Sequence, residues 1–327
     1  MNPLMLKHAA VLALITFLGA AASLAWVYQN SRSELIGNLV FAETDDQIGN
    51  IAAINIRTPQ SNISLVLDNE FWRVKEADYY YAGFDLMRSL FENIKTSRFQ
   101  RRQTAGKADY DKYKLNNPYQ TEADAGTSIS ILNAEGQELN HLIIGRRDAD
   151  NLFQFARIPG RKQTAYLLSG QYVLPAALSS WTQQPLLNLD AKDIKSIEVN
   201  GKSVKRPDSA KPFLVFHDNK PLKLIRTEKL FKQLAYLSYD RVISAQNFDE
   251  TRFPTVKSVK ITTFDGMIAS LDLFTDDNNF WIRLSLSTTA LPTTATNDYI
   301  KNNAFLYDGW FFQLPPDAGK ALSQFDI

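Results

Sequence analysis

Two acidic clusters offer the densest ligand oxygens in the chain, Asp148-Ala149-Asp150-Asn151 and Asp276-Asp277-Asn278-Asn279. Carboxylate and carboxamide oxygens suit a hard cation such as calcium, but neither stretch has the twelve-residue loop or the distant bidentate Glu of a calcium loop. Both lie between strand-like runs, so they are expected to be polar turns and no metal is assigned. The three histidines are His8, His141 and His217. His141 and His217 sit in strand-like contexts without a Ser, an Asp or a second His at ligand or triad spacing, and each is expected to be a half-buried sheet residue. There is no cysteine, which removes thiolate nucleophiles, thiolate zinc sites and disulfides. No glycine-rich phosphate loop, Gly-x-Ser-x-Gly elbow or His-Glu-x-x-His helix occurs. The chain is therefore expected to be non-enzymatic, with no catalytic residue and no cofactor.

The side chains better suited to binding are aromatic and basic. Tyr79, Tyr80 and Tyr81 are adjacent and precede a helix. Three neighbouring tyrosines cannot all point inward, and an exposed one offers an amphipathic contact, although packing over a sheet edge is the alternative. Arg98, Arg101 and Arg102 could meet an acidic partner or lipid headgroups; their simpler role is a solvated helix end, where cations suit the negative end of the dipole. These six residues are the candidate partner-binding set.

The elements that must position them can be read from periodicity. AAINIR, NISLVLD and FWRVKE alternate apolar and polar residues with period two, as half-buried strands do, with a tight turn at Asp68-Asn69-Glu70. From Phe84 to Arg98 the period changes, and Met87, Leu90, Phe91 and Ile94 form the stripe of an amphipathic helix. The same order recurs downstream of Trp181–Val199. Ile51, Ile54 and Ile56 match Ile194, Ile197 and Val199, each 143 positions on, while Ile129, Ile131 and Gly136 match Val259, Ile261 and Gly266, each 130 on. A second helix is expected from an N-cap at Thr227 through Leu230, Phe231, Leu234 and Leu237. Closing strands are expected at Thr164–Tyr172 and Asn303–Phe311, a Thr-rich exposed loop at Ser287–Asn303, and a short helix at Pro315–Phe325.

A chain of 327 residues suits two domains. Ala9–Tyr28 is a run of twenty uncharged, mostly apolar residues, long enough at about 1.5 Å per residue to cross a hydrocarbon core of about 30 Å. Lys7 and His8 precede it, which places the N-terminus in the cytoplasm and the bulk of the chain outside. A cleavable signal peptide with small residues at Ala20-Ala21-Ala22 is the competing reading, and it too exports the chain. The expected organisation is α+β: a cytoplasmic N-terminus and transmembrane anchor at 1–30, a connector at 31–49, and two tandem duplicated modules at 50–180 and 181–327. Each module would be an antiparallel sheet with one main packing helix. A net charge of +1 gives no reason to expect nucleic acid.

Several features taken in order resemble a family of bacterial membrane-anchored proteins carrying the domain of unknown function numbered 4340. They are an aromatic third strand around Trp72, the basic segment Arg98–Arg102, the Tyr-x-Leu-x-x-Pro element at Tyr113, Leu115 and Pro118, and Ile144-Gly145. The junction Trp181, Leu186-Leu187, Leu189-Asp190 and the late Asp308-Gly309-Trp310 with Leu314-Pro315 complete the set. The resemblance implies an exported, membrane-tethered protein, often encoded beside components of an ABC-type transport system, and so a partner rather than a reaction. It carries no catalytic residues. Lys202–Arg206 is more charged than its counterpart Ile63–Leu67, a departure between the two modules. The expected function is a periplasmic accessory or scaffold protein held at the bacterial inner membrane, with ABC-transporter permease or auxiliary subunits as partners. The alternatives are a module that binds glycans or other envelope polymers, and a hydrolase with unrecognised carboxylates.

Overall fold

The computed structural model describes residues 35–41, 48–104, 108–161, 164–200, 202–211, 214–217, 220–223, 234–276 and 278–324. The expected membrane segment Ala9–Tyr28 lies outside them, as does the expected second helix from Thr227 up to residue 233, while Leu234 and Ala235 near its end are described and helical. No helix among the described residues is long and apolar enough to cross a membrane.

The elements run β1 (Ile51–Arg57), β2 (Asn62–Asp68), β3 (Phe71–Val74), β4 (Tyr80–Tyr81), α1 (Phe84–Thr96), β5 (Phe99–Thr104), α2 (Asp109–Tyr113), β6 (Thr127–Asn133), β7 (Glu138–Arg147), β8 (Gln154–Arg157) and β9 (Thr164–Leu168). They continue with β10 (Leu187–Asn188), β11 (Ile194–Val199), β12 (Lys202–Lys205), β13 (Leu214–His217), β14 (Lys220–Lys223), β15 (Tyr236–Leu237), β16 (Arg241–Ser244), β17 (Thr255–Thr263), β18 (Met267–Thr275), β19 (Phe280–Thr288), α3 (Thr294–Asn303), β20 (Trp310–Gln313) and α4 (Pro316–Ser323). The fold is α+β and rich in antiparallel sheet. The chain divides into two compact units, Met1–Asn62 with Ser89–Leu174, and Ile63–Arg88 with Pro175–Ile327. Ile63–Arg88, which the sequence groups with residues 50–180, is thus counted with the later part of the chain.

In the first unit the strands lie in the order β1-β6-β7-β8-β9-β5, all neighbours antiparallel. The alternation in IAAINIR sends Ile54 and Ile56 inward, where they sit opposite Ile131 and Ile129, and all four are fully buried. The part of the α1 stripe that belongs to this unit is buried at Leu90 and Ile94. Phe99 and Tyr166 meet edge-on, and the Tyr172 hydroxyl lies within hydrogen-bond distance of Asn93 O and Ser97 Oγ, at 3.2 and 3.0 Å.

In the second unit the long sheet has the order β14-β13-β12-β11-β17-β18-β19-β20-β16. Its run β11-β17-β18-β19-β20-β16 visits the strands in the same sequence as β1-β6-β7-β8-β9-β5. The pairs recur as well: Ile197 faces Ile261 and Val199 faces Val259, and a register shift between Ile194 and Ser196 matches one between Ile51 and Ala53. The segment β2-β3-β4 is a meander whose first turn places Asn69 and Glu70 both at positive φ, the geometry a two-residue hairpin needs. β10 and β15 form a small separate pair. Trp181 is fully buried and donates its indole N–H to Pro175 O at 2.8 Å.

Several elements differ from the sequence expectation. Leu237 is not in a helix: it pairs with Leu187 in the β10–β15 ladder, and Leu186 donates to its carbonyl at 2.7 Å. The closing strand expected at Asn303–Phe311 starts only at Trp310, because Ala304–Leu306 winds as a 3-10 turn whose Ala304 carbonyl accepts from Tyr307 and Asp308. The Thr-rich stretch Ser287–Asn303 is not a loop throughout. Thr293 caps α3 by accepting from Thr296 N at 3.2 Å, and Asp265 in the preceding hairpin turn accepts from Thr296 Oγ1 at 2.7 Å, so threonines that read as loop residues initiate a helix. Arg206 in the charged stretch Lys202–Arg206 is buried, donating to Ile194 O and Ala191 O, both at 2.6 Å.

Candidate functional site

Residues 74–81 illustrate how the chain presents one tyrosine and hides two. Lys75–Ala77 form a 3-10 turn that ends with two successive left-handed residues, Asp78 at φ 58° and Tyr79 at φ 61°. Such backbone costs roughly 1 kcal/mol or more per non-glycine residue and persists only when its surroundings fix it. Here the Asp78 carboxylate does the fixing. Its Oδ2 accepts from Ser244 N at 2.7 Å, and both oxygens accept from Asn247 Nδ2 at 2.8 Å. Burial pushes the Asp78 carboxyl up, but the hydrogen bonds from Ser244 and Asn247 outweigh it and hold the group below its ordinary range.

Beyond this reversal Tyr79 is 47% exposed, whereas Tyr80 and Tyr81 enter β4 and are 1% and 8% exposed. Tyr80 donates its hydroxyl to Leu306 O at 2.9 Å and meets Trp310, Phe312 and Tyr239 edge-on, with ring centroids 4.9, 5.6 and 6.2 Å away. Tyr81 packs on Phe71 and Phe305, and the Arg73 guanidinium lies over its ring at 4.4 Å. Tyr80 and Tyr81 are therefore core residues, which corrects the expectation that all three belong to a binding surface. They satisfy the sheet edge and leave Tyr79 as the exposed member.

Around Asp78 the second unit is concave. A cavity of about 280 Å³ has the turn Lys75–Asp78 as one wall and Tyr239–Ile243 as the other, with Ser179 and Thr182 between them. A neighbouring hollow is lined by Tyr79, Gln246, Asp308 and Trp310, and a third by Arg252, Phe253, Trp281 and Gln313; Asn247 lines all three. The described carboxylate at the centre, Asp78, has both oxygens engaged in protein hydrogen bonds. Its hydrogen bonds to Ser244 and Asn247 hold the wall together. Aromatic faces beside polar edges, here Tyr79 and Trp310 beside Asn247 and Asp308, suit contact with another polymer.

The three arginines lie in the first unit, not at a helix end. α1 stops at Thr96, and Arg98 enters the strand region: its amide donates to Ser169 Oγ at 2.8 Å, its carbonyl accepts from Ser169 N at 2.9 Å, and its guanidinium donates to Gly37 O at 2.8 Å. Arg101 and Arg102 follow in β5, opposite Leu167 and Tyr166, with Arg101 exposed and Arg102 half-buried. The dipole role expected for them does not apply, because that effect fades within the last helical turn. Arg101 instead lines the outer strand of its sheet.

One constellation has no signature in the linear spacing. Ser128 Oγ and His141 Nε2 share a hydrogen bond of 2.7 Å, and Glu138 Oε2 is 3.5 Å from His141 Nδ1. An odd spacing along a strand normally separates faces, but the register shift between Ile131 and Leu132 leaves Leu139 without a partner and turns Glu138 to the side of His141. The order Ser, His, acid is that of a nucleophilic relay. Ser128 is fully buried, however, so no substrate reaches its Oγ. Burial lowers the His141 pKa, Glu138 opposes this and Arg157 adds to it, and the ring stays neutral near pH 7.

The acidic clusters are turns. Asp148 Oδ1 accepts from Leu152 N and Phe153 N at 2.9 and 3.0 Å, and Asp276 Oδ1 from Asn279 N at 2.9 Å. Among the described residues no group of three or more His, Asp or Glu side chains could hold a metal ion. A family model described as Domain of unknown function (DUF4340) matches residues 72–251. No curated protein and no solved structure matches the chain.

Proposed function

From the premise that the chain belongs to the family described as Domain of unknown function (DUF4340), we propose that it is a non-enzymatic accessory or scaffold protein of the bacterial envelope. It is held at the inner membrane by Ala9–Tyr28, with its bulk in the periplasm, and it docks subunits of an ABC-type transport system. Its folded part is two copies of one sheet-rich module; the shared strand order and the recurring pairs Ile54–Ile131 and Ile197–Ile261 support that reading. The observation that carries the docking role is Tyr79: an exposed aromatic held in a left-handed conformation by a carboxylate clamp, at the rim of a concave surface. Residues held in sparsely populated backbone regions cluster at functional sites, which supports the reading.

Affinity purification of the tagged full-length protein from detergent-solubilised membranes tests the role: recovery of an ABC-transporter ATPase and permease supports it, and repeated recovery of the protein alone overturns it. The pairing of Tyr79 with Trp310 in one hollow favours an envelope glycan as a second reading. Retention on purified cell-wall material that is lost in Tyr79→Ala would support that reading in place of the first. The anchor is tested separately by mature mass, since loss of the first twenty or so residues would show cleavage.

A further inference from the structure

An anchor at Ala9–Tyr28 would hold the first unit close to the bilayer, because the chain is fastened to β5 soon after leaving it. Residues 35–41 lie along the edge of β5 that β9 does not occupy, and β5 is the outermost strand of its sheet. Gly37 N donates to Phe99 O at 2.7 Å, Phe99 N to Asn38 O at 3.1 Å and Val40 N to Ser97 O at 2.8 Å, and Leu39 pairs with Arg98 in an antiparallel bridge. Val40 and Phe41 are buried. The connector expected at 31–49 is thus bound to the fold part-way along its length. Six residues separate Tyr28 from Leu35. Fully extended, that stretch reaches about 25 Å, against roughly 80 Å for a chain loose as far as Ile51.

The surface at this point is basic. Residues 95–102 read KTSRFQRR, with four cations and no acid, and Lys95, Arg98 and Arg101 are exposed. Arg161 is exposed as well, and it lines a cavity of about 320 Å³ together with Leu35, Asn38 and Leu39, which places it beside the bound connector. Among the described residues Lys95, Arg98, Arg101 and Arg161 have no ion pair; the Arg98 hydrogen bond runs to the Gly37 carbonyl and leaves the charge uncompensated. The acid on that cavity, Glu138, stands 3.5 Å from His141. Ile36, next to the clamped Gly37, is 40% exposed. Clustered cations with an exposed aliphatic side chain, beside a membrane anchor, suit an anionic bilayer surface. Individually weak headgroup contacts suffice there, because the short tether makes each encounter intramolecular.

We infer that the first unit rests on the bilayer, with Arg101 and Arg161 against anionic phospholipid headgroups and Ile36 at the interface, held there by the clamp of residues 35–41 on β5. The inference rests on the anchor reading and adds the lipid chemistry that the first unit meets; it is independent of the docking role given to the second unit.

The chain has no cysteine, so Gln100→Cys, at an exposed position of β5, creates a single labelling site. The full-length protein carrying a fluorophore there is reconstituted into nanodiscs of phosphatidylcholine, with or without phosphatidylglycerol, that also contain lipid spin-labelled at the headgroup. Quenching is expected to be strong with phosphatidylglycerol and to fall several-fold without it, at high salt, and in the double variant Arg101→Gln, Arg161→Gln. The lipid and salt arms use unaltered arginines, so they stand even if the double variant folds poorly. Quenching that is indifferent to phosphatidylglycerol overturns the inference. Quenching that survives the double variant, with loss of a co-purifying protein instead, overturns it in favour of an acidic protein partner. Failure of the chain to enter nanodiscs defeats the anchor and the inference together, whereas insertion without lipid-dependent quenching defeats the inference alone.

Discussion

The Asp78 carboxylate accepts the backbone N–H of Ser244 at 2.7 Å, joining residues 166 positions apart in the chain. This contact, with those from Asn247, holds the strained turn that presents Tyr79. Asp78→Ala should destabilise the second unit by about 1–3 kcal/mol, the cost of stranding a donor that had a charged partner. The folded-state pKa of Asp78 is lowered, so its contribution is present above the unfolded value near 4 and is lost as pH falls through the folded one. Urea unfolding at pH 7 and pH 3 should show a smaller gap between wild type and Asp78→Ala at the lower pH.

Tyr79 and Tyr80 are neighbours with opposite expected behaviour. Tyr80→Phe removes the hydroxyl that satisfies Leu306 O at 2.9 Å within a buried aromatic cluster, and should cost about 1–2 kcal/mol. Tyr79→Ala alters an exposed ring and should change stability by no more than about 0.5 kcal/mol. Thermal melts of the two variants check the contrast.

His141 should make the first unit sensitive to mild acid. Its folded-state pKa is depressed by burial, so the unfolded chain takes up its proton first as pH falls. The stabilisation is fully present above the unfolded value of about 6.5 and declines below it toward the folded value. The melting temperature should fall more between pH 7.5 and pH 5.5 in the wild type than in His141→Gln, which cannot titrate.

Gly145 lies in β7 where the backbone of Tyr113 and Lys114 crosses closely, and a methyl group there would overlap the Tyr113 carbonyl oxygen. Gly145→Ala should destabilise by about 1–3 kcal/mol through forced backbone movement. Gly136, in a turn with open space around it, keeps a positive φ of 76°, so Gly136→Asn should be the milder change. Chemical denaturation of the two variants side by side measures the difference.

Much of the sheet is legible in the sequence because period-two alternation and burial coincide: Ile54, Ile56, Ile129 and Ile131 read as inward residues, and they pair with one another. The α1 stripe is legible for the same reason at a different period. Contacts made at long range leave no such trace. Nothing local marks Asp78 for Ser244 and Asn247, and Tyr80 reads like Tyr79 until its partners Leu306 and Trp310 are in place. The Ser128–His141–Glu138 cluster is hidden by the extra residue Leu139, which breaks the alternation by which faces are assigned. The start of α3 is obscured because Thr293 and Thr296 suit a loop until Asp265 supplies their partner.

The docking role is tested most directly by quantifying ABC-transporter subunits that co-purify from solubilised membranes with the tagged full-length protein, in wild type and in Tyr79→Ala. An ATPase and a permease should accompany the wild type and fall several-fold with the variant, at equal yield of the tagged protein. A wild type that repeatedly emerges without them would contradict the account.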